Sequence, residues 1–144
     1  MLGRLARWLR LMGYDTAYAD RISDHQIAAR ARAEGRVVLT RDQALTRRKG
    51  IRCLFVHSQV LEEQIREVVA AFGVPTPRPE ARCPECNVPL IERTPEQAAP
   101  YVPPYVLHTQ QRFHRCPACE RHYWAGSHWS RIEETIARAL DGRR

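Results

Sequence analysis

The stretch SDHQIAARARAEGRVVLTRD, residues 23–42, decides the fold. Ser23 followed three residues later by Gln26 is the capping-box pair that opens a helix. Ile27, Ala28 and Ala31 recur at helical spacing, and Gly35 supplies the backbone freedom on which helices end. Val37-Val38-Leu39-Thr40 then reads as a short, continuously apolar strand, the pattern of a strand covered on both faces. Asp42 lies just beyond its carboxyl end, where open α/β sheets gather their ligands.

The pattern repeats on either side. Leu2, Leu5, Ala6, Leu9 and Met12 form an amphipathic helix stopped by Gly13, and Thr16–Ala19 reads as a short extended segment. Downstream come a short helix over Gln43–Arg48 and a strand over Ile51–Val56. Ser58 then caps a long helix carrying Leu61, Ile65, Val68, Val69 and Phe72, closed by Gly73. Helix–strand alternation implies an α/β domain over residues 1–74, a parallel sheet with covering helices. Such domains open with a strand, whereas this one opens in a helix. The reading is therefore that the sheet lacks its first strand, which would leave neighbouring backbone groups unpaired.

Pro75, Pro77 and Pro79 make residues 75–82 a stiff linker. The second unit, 83–144, ends in a helix capped by Ser130 with Ile132, Ile136, Ala139 and Leu140 on one face. It holds two knuckles, Cys83-Pro-Glu-Cys86 and Cys116-Pro-Ala-Cys119, separated by 29 residues. Four thiolates paired in this way suit one tetrahedral Zn²⁺ and leave no open coordination position, so the expected ion is structural and the architecture a zinc ribbon. His114, His122 and His128 read as packing or surface residues, and so do the aromatics Tyr123, Trp124 and Trp129. Cys53, alone in a strand pattern, reads as a small apolar residue.

A composition of 44% hydrophobic and 27% charged residues excludes wholesale disorder. No apolar run reaches the ~20 residues of a membrane span. Arg4, Arg7 and Arg10 interrupt any signal-peptide core, so a cytoplasmic location is expected, with no membrane partner. The net charge is +7. Residues 1–79 hold 14 basic and 8 acidic side chains against 9 and 8 in the remainder, which puts a polyanionic partner on the first half. Arg4 and Arg7 on the first helix, and Arg41, Arg47, Arg48 and Lys49 beyond the strand, are candidate phosphate contacts. Arg10 is read as part of a solvated helix face.

Asp20, Asp24 and Asp42 could converge at one sheet edge, where clustered carboxylates attract Mg²⁺ or Mn²⁺ for phosphodiester hydrolysis. The alternative is local: Asp24 answers the dipole of its helix, and Asp42 caps the next one.

Four blocks carry a resemblance: Gly3-Arg4-Leu5-Ala6-Arg7-Trp8-Leu9-Arg10, Leu39-Thr40-Arg41-Asp42, Arg82-Cys83-Pro84-Glu85-Cys86-Asn87, and Tyr123-Trp124-Ala125-Gly126-Ser127-His128-Trp129. In this order they resemble the Mut-seven C-terminal RNase domain family, which joins a PIN-like nuclease fold to a C-terminal zinc ribbon. The resemblance implies a three-layer PIN-like domain and a metal-dependent ribonuclease acting on RNA without an organic cofactor. It implies acids at Asp42, Asp24 and, more weakly, Asp20, holding Mg²⁺ or Mn²⁺, with Cys83, Cys86, Cys116 and Cys119 holding zinc. Family members begin with a strand ending in Asp just before the first block; here Met1 stands where that strand should have finished, which bears on catalysis. Two other classes fit the same residues: a non-catalytic RNA-binding or ribosome-associated module, and a protein-docking adaptor.

Overall fold

A computed structural model describes residues 2–73, 81–124 and 134–138. The linker prolines, Ser130, Ile132, Ala139, Leu140, His128 and Trp129 lie outside them. The first half runs α1 (Gly3–Leu11), α2 (Asp24–Glu34), β1 (Val37–Thr40), α3 (Gln43–Thr46), β2 (Arg52–Phe55) and α4 (Leu61–Phe72).

Helix α2 starts where its capping box dictates. The Ser23 hydroxyl accepts from the Gln26 N–H at 3.1 Å, and the Gln26 side chain accepts from the Ser23 N–H at 2.9 Å. It ends at Gly35 in the left-handed region, φ 65°. Strands β1 and β2 pair in parallel, Val38 opposite Cys53 and Leu39 opposite Leu54. The period of two then sorts the side chains by face. Leu39 and Leu54 pack on the buried Leu5, Leu9, Ile65 and Val69 of α1 and α4. Val38 and Cys53 pack with Ala31 and Leu45 of α2 and α3. Helices thus cover both faces of a small parallel sheet. Ile136, from a helical stretch over residues 134–138, joins the α1–α4 cluster, and Arg138 pairs with Glu62 at 3.1 Å.

Two local expectations fail. Thr16–Ala19 is not a strand, so the sheet has two strands among the described residues rather than three. Its missing neighbour is visible at β1. The Val56 N–H donates to the Thr40 carbonyl at 2.8 Å, which turns the Val38 and Thr40 backbones toward β2. The alternate residues Val37 and Leu39 therefore present theirs to the opposite edge, and no described strand pairs there. Ser58 does not cap α4, which begins at Leu61 behind Val60. Its hydroxyl instead accepts from the Val60 N–H at 3.0 Å and donates to Glu63, closing a turn that moves the helix start onward.

The second half runs β3 (Ile91–Arg93), α5 (Pro95–Ala98), a 3-10 turn (Ala99–Tyr101), α6 (Pro104–Thr109), β4 (Phe113–Arg115) and β5 (His122–Trp124). The three strands form one antiparallel sheet in chain order. Its apolar body is Ala98, Val102, Val106 and Phe113 with Trp124 against them, so Trp124 packs as expected. No helix among the described residues is long and apolar enough to cross a membrane.

Candidate functional site

The two knuckles have one design. The N–H of Asn87 donates to the Cys83 carbonyl and that of Glu120 to the Cys116 carbonyl, each at 2.8 Å. Asn87 and Glu120 both sit in the left-handed region, φ 61° and 66°. The four sulfurs all lie within 4.8 Å of one another, with Cys83 and Cys116 buried. Cys83 and Cys119 Sγ are 3.8 Å apart. Sulfurs held tetrahedrally ~2.3 Å from one ion stand ~3.8 Å apart, so the donor set fits a metal such as zinc. Packing four thiols together opposes their ionisation: desolvation first, then Cys119, Cys116 and Cys83, push Cys86 up to about 12. A shared dication removes that conflict. The Tyr123 hydroxyl, 3.1 Å from Cys83 Sγ, is placed to donate to a thiolate there. No histidine among the described residues belongs to the cluster; His122 stacks on Tyr101 with ring centroids 4.6 Å apart.

The first knuckle is docked on the first half, and this corrects the reading of Arg10. Its guanidinium is half-buried, donating to the Thr16 carbonyl at 2.8 Å and the Pro84 carbonyl at 2.6 Å. The Arg82 N–H donates to the Arg10 carbonyl at 2.8 Å. Helical spacing places Arg10 beside Arg7 but cannot reveal a partner 74 residues away. Arg7 pairs with the knuckle residue Glu85 at 2.7 Å.

A cleft of about 990 Å³ runs along the outer edge of β1. Leu5, Leu9 and Val68 wall one side, Ile27 and Ala31 the other, and segment 13–19 closes it. Asp24, at the first turn of α2, and Asp42, just past β1, both line it. Asp42 Oδ1 accepts from the Ala44 N–H at 2.8 Å, so the capping role is real and leaves Oδ2 free of that bond. Asp24 makes no side-chain hydrogen bond or ion pair among the described residues. Asp20 is exposed and does not line the cleft. The three acids form no three-donor group; the only such group among the described residues is the four cysteines.

The family model described as the Mut7-C RNAse domain matches residues 1–136 of the 144. The chain belongs to that family. No curated protein and no solved structure gives a match.

In this Mut7-C RNAse domain the candidate phosphate contacts divide. Arg4, Arg47 and Arg48 are exposed and make no side-chain hydrogen bond or ion pair among the described residues. Arg41 is tied to the scaffold, donating to the His57 carbonyl at 3.2 Å and to that of Ser58. Cys53 packs in the sheet as expected, and burial pushes its thiol up.

Sequence reasoning missed Asn87 and Asp15. The Asn87 carboxamide accepts from the Thr16 N–H at 3.0 Å and donates to Asp15 at 2.7 Å. Arg36 donates to the same Asp15 oxygen at 3.1 Å and to Glu34 at 2.8 Å. The Asn87 bond first, then Arg36, hold the Asp15 carboxyl below its ordinary value of 3.8 against desolvation. The sign follows: a depressed native value stabilises above the unfolded value and is lost as pH falls through the native one. Docking of the knuckle is therefore expected to persist above pH ~4 and weaken below it. Asp15→Asn should flatten that acid limb, as read from melting curves against pH.

Proposed function

We propose that this Mut7-C RNAse domain is a metal-dependent ribonuclease. It would combine a PIN-like first half with a zinc ribbon and hydrolyse RNA at the cleft beyond β1. The carrying observation is that Asp24 and Asp42, from separate elements, line one cleft at a strand's carboxyl end. Two carboxylates suit Mg²⁺ or Mn²⁺, which keep several waters and use one or two acidic ligands. When bound, such an ion supplies an activated water and neutralises charge on a phosphodiester. Asp24 and the free oxygen of Asp42 would hold it. The Ala44 N–H fixes the Asp42 rotamer, and Arg4, Arg47 and Arg48 offer the RNA backbone unpaired cations. Zinc at Cys83, Cys86, Cys116 and Cys119 is structural.

Asp42→Asn tests this cleanly, because asparagine caps a helix as well as aspartate does. The variant should keep its melting temperature and RNA affinity but lose Mn²⁺-dependent cleavage of a labelled RNA. Asp42→Ala, which also removes the cap, should cost about 1 kcal/mol of stability besides. Unchanged cleavage by Asp42→Asn would remove Asp42 from the chemistry. One observation favours the second reading, RNA binding without cleavage. No described strand pairs with the outer edge of β1, so among the described residues no strand brings further groups to the cleft there. Wild-type protein that binds RNA but does not cleave it would support that reading.

A further inference from the structure

Thr16 belongs to the wall of the cleft, and both ends of its backbone are held from outside that wall. Its N–H is taken by Asn87 and its carbonyl by Arg10, whose other nitrogen grips the Pro84 carbonyl. The bonds close a ring: Arg10, Thr16, Asn87 and the turn from Asn87 back to Pro84. Asn87 is placed by the knuckle itself, through its N–H on the Cys83 carbonyl, its own carbonyl accepting from Arg82 at 2.8 Å, and its left-handed backbone. From Asn87 the polar chain runs on through Asp15, Arg36 and Glu34 to Arg30, all of which line the cleft.

We infer that metal occupancy of the four-cysteine centre sets the shape of the cleft wall, with Asn87 as the positioning residue that carries the coupling. An ion bound to Cys83 and Cys86 fixes the turn, the turn fixes the carboxamide, and the carboxamide fixes Thr16. Without the ion the turn loses its anchor, and Thr16 loses its amide partner. The inference rests on the metal reading of the cysteines and is independent of any cleavage by the cleft.

The test is amide hydrogen exchange on the full chain, with zinc content measured by native mass spectrometry. Asn87→Gly is the informative variant. Glycine adopts the left-handed conformation more readily than asparagine, so the knuckle keeps its turn while the carboxamide disappears. Zinc-loaded Asn87→Gly should exchange its Thr16 amide about tenfold faster, the scale of one lost hydrogen bond. The Cys83, Leu90 and Cys116 amides should stay protected. Chelation of wild type should accelerate Thr16 likewise, and chelation of Asn87→Gly should add little more at that position. Thr16 protection unchanged in loaded Asn87→Gly, or unchanged on chelating wild type, overturns the coupling alone. Absence of zinc from purified wild type would overturn the metal reading and the coupling with it, and leave the ribonuclease reading to its own test.

Discussion

Stripping the four-cysteine centre of its metal is expected to unfold the knuckles and lower the melting temperature by more than about 10 °C. The apolar body around the centre is Leu90 with the cysteines Cys83 and Cys116 themselves, with Ala81, Val88 and Tyr123 only partly buried against them; the Phe113 cluster is a separate one. Such a body cannot offset the ordering entropy of a unit this small without the ion. Structural zinc contributes on the order of 10 kcal/mol or more in sites of this type. The loss should appear as exchange of the Asn87 and Glu120 amides, whose partners are the Cys83 and Cys116 carbonyls. The β1–β2 ladder, which packs on α1 and α4, should keep its protection. A chelated protein with unchanged melting and unchanged exchange would show that the sulfurs hold no structural ion.

Fusing one apolar strand of about five residues ahead of Met1 is expected to raise the melting temperature by several degrees. The physical case lies at β1. Val37 and Leu39 offer backbone donors and acceptors to an edge where no described strand pairs, and paired groups are the rule for buried backbone. The walls facing that edge are apolar on both sides, from α1 and α4 and from α2, which calls for a continuously apolar segment. Leu2 lines the cleft, so a segment entering ahead of it starts beside the slot. Each side chain buried there is worth about 1.5–3 kcal/mol before the cost of ordering the segment. Segment 16–19 should gain amide protection in the same fusion, since the added strand would lie between it and β1. A fusion that leaves both the melting temperature and the 37–40 amides unchanged would show that the edge needs no strand. An alternating polar sequence of equal length is the control.

Local chemistry was legible in the sequence; long-range contacts were not. The Ser23–Gln26 capping box, Gly35 and the apolar run at Val37–Thr40 each act within a few residues, and each appears where read. The paired cysteines gather because two-residue spacing dictates a turn. A readable signal was passed over at Thr94-Pro95-Glu96-Gln97, a second capping box with proline at the first helical position, which opens α5. Thr16–Ala19 has strand-like residues, but a strand needs a neighbour, and none is described beside it. Arg10 and Asn87 were beyond reach for a different reason. Their partners, Pro84 for the one and Asp15 and Thr16 for the other, lie more than seventy residues away. An asparagine directly after a Cys-Pro-x-Cys knuckle, at a left-handed position, was the one clue in the chain.

The cleft acids were half legible. Strand-end placement singled out Asp42 and Asp20, and a helix start singled out Asp24; Asp24 and Asp42 line one cleft, whereas Asp20 is exposed and does not line it. Capping and metal binding compete for the same carboxylate in Asp42, and one oxygen is already committed to the Ala44 N–H.

The most direct measurement is a Mn²⁺ titration of the zinc-loaded protein followed by electron paramagnetic resonance. The account predicts one bound Mn²⁺ whose affinity falls about tenfold or more in both Asp24→Asn and Asp42→Asn, while Asp20→Asn leaves it unchanged. No bound Mn²⁺ in wild type, or binding indifferent to Asp24 and Asp42, would contradict it.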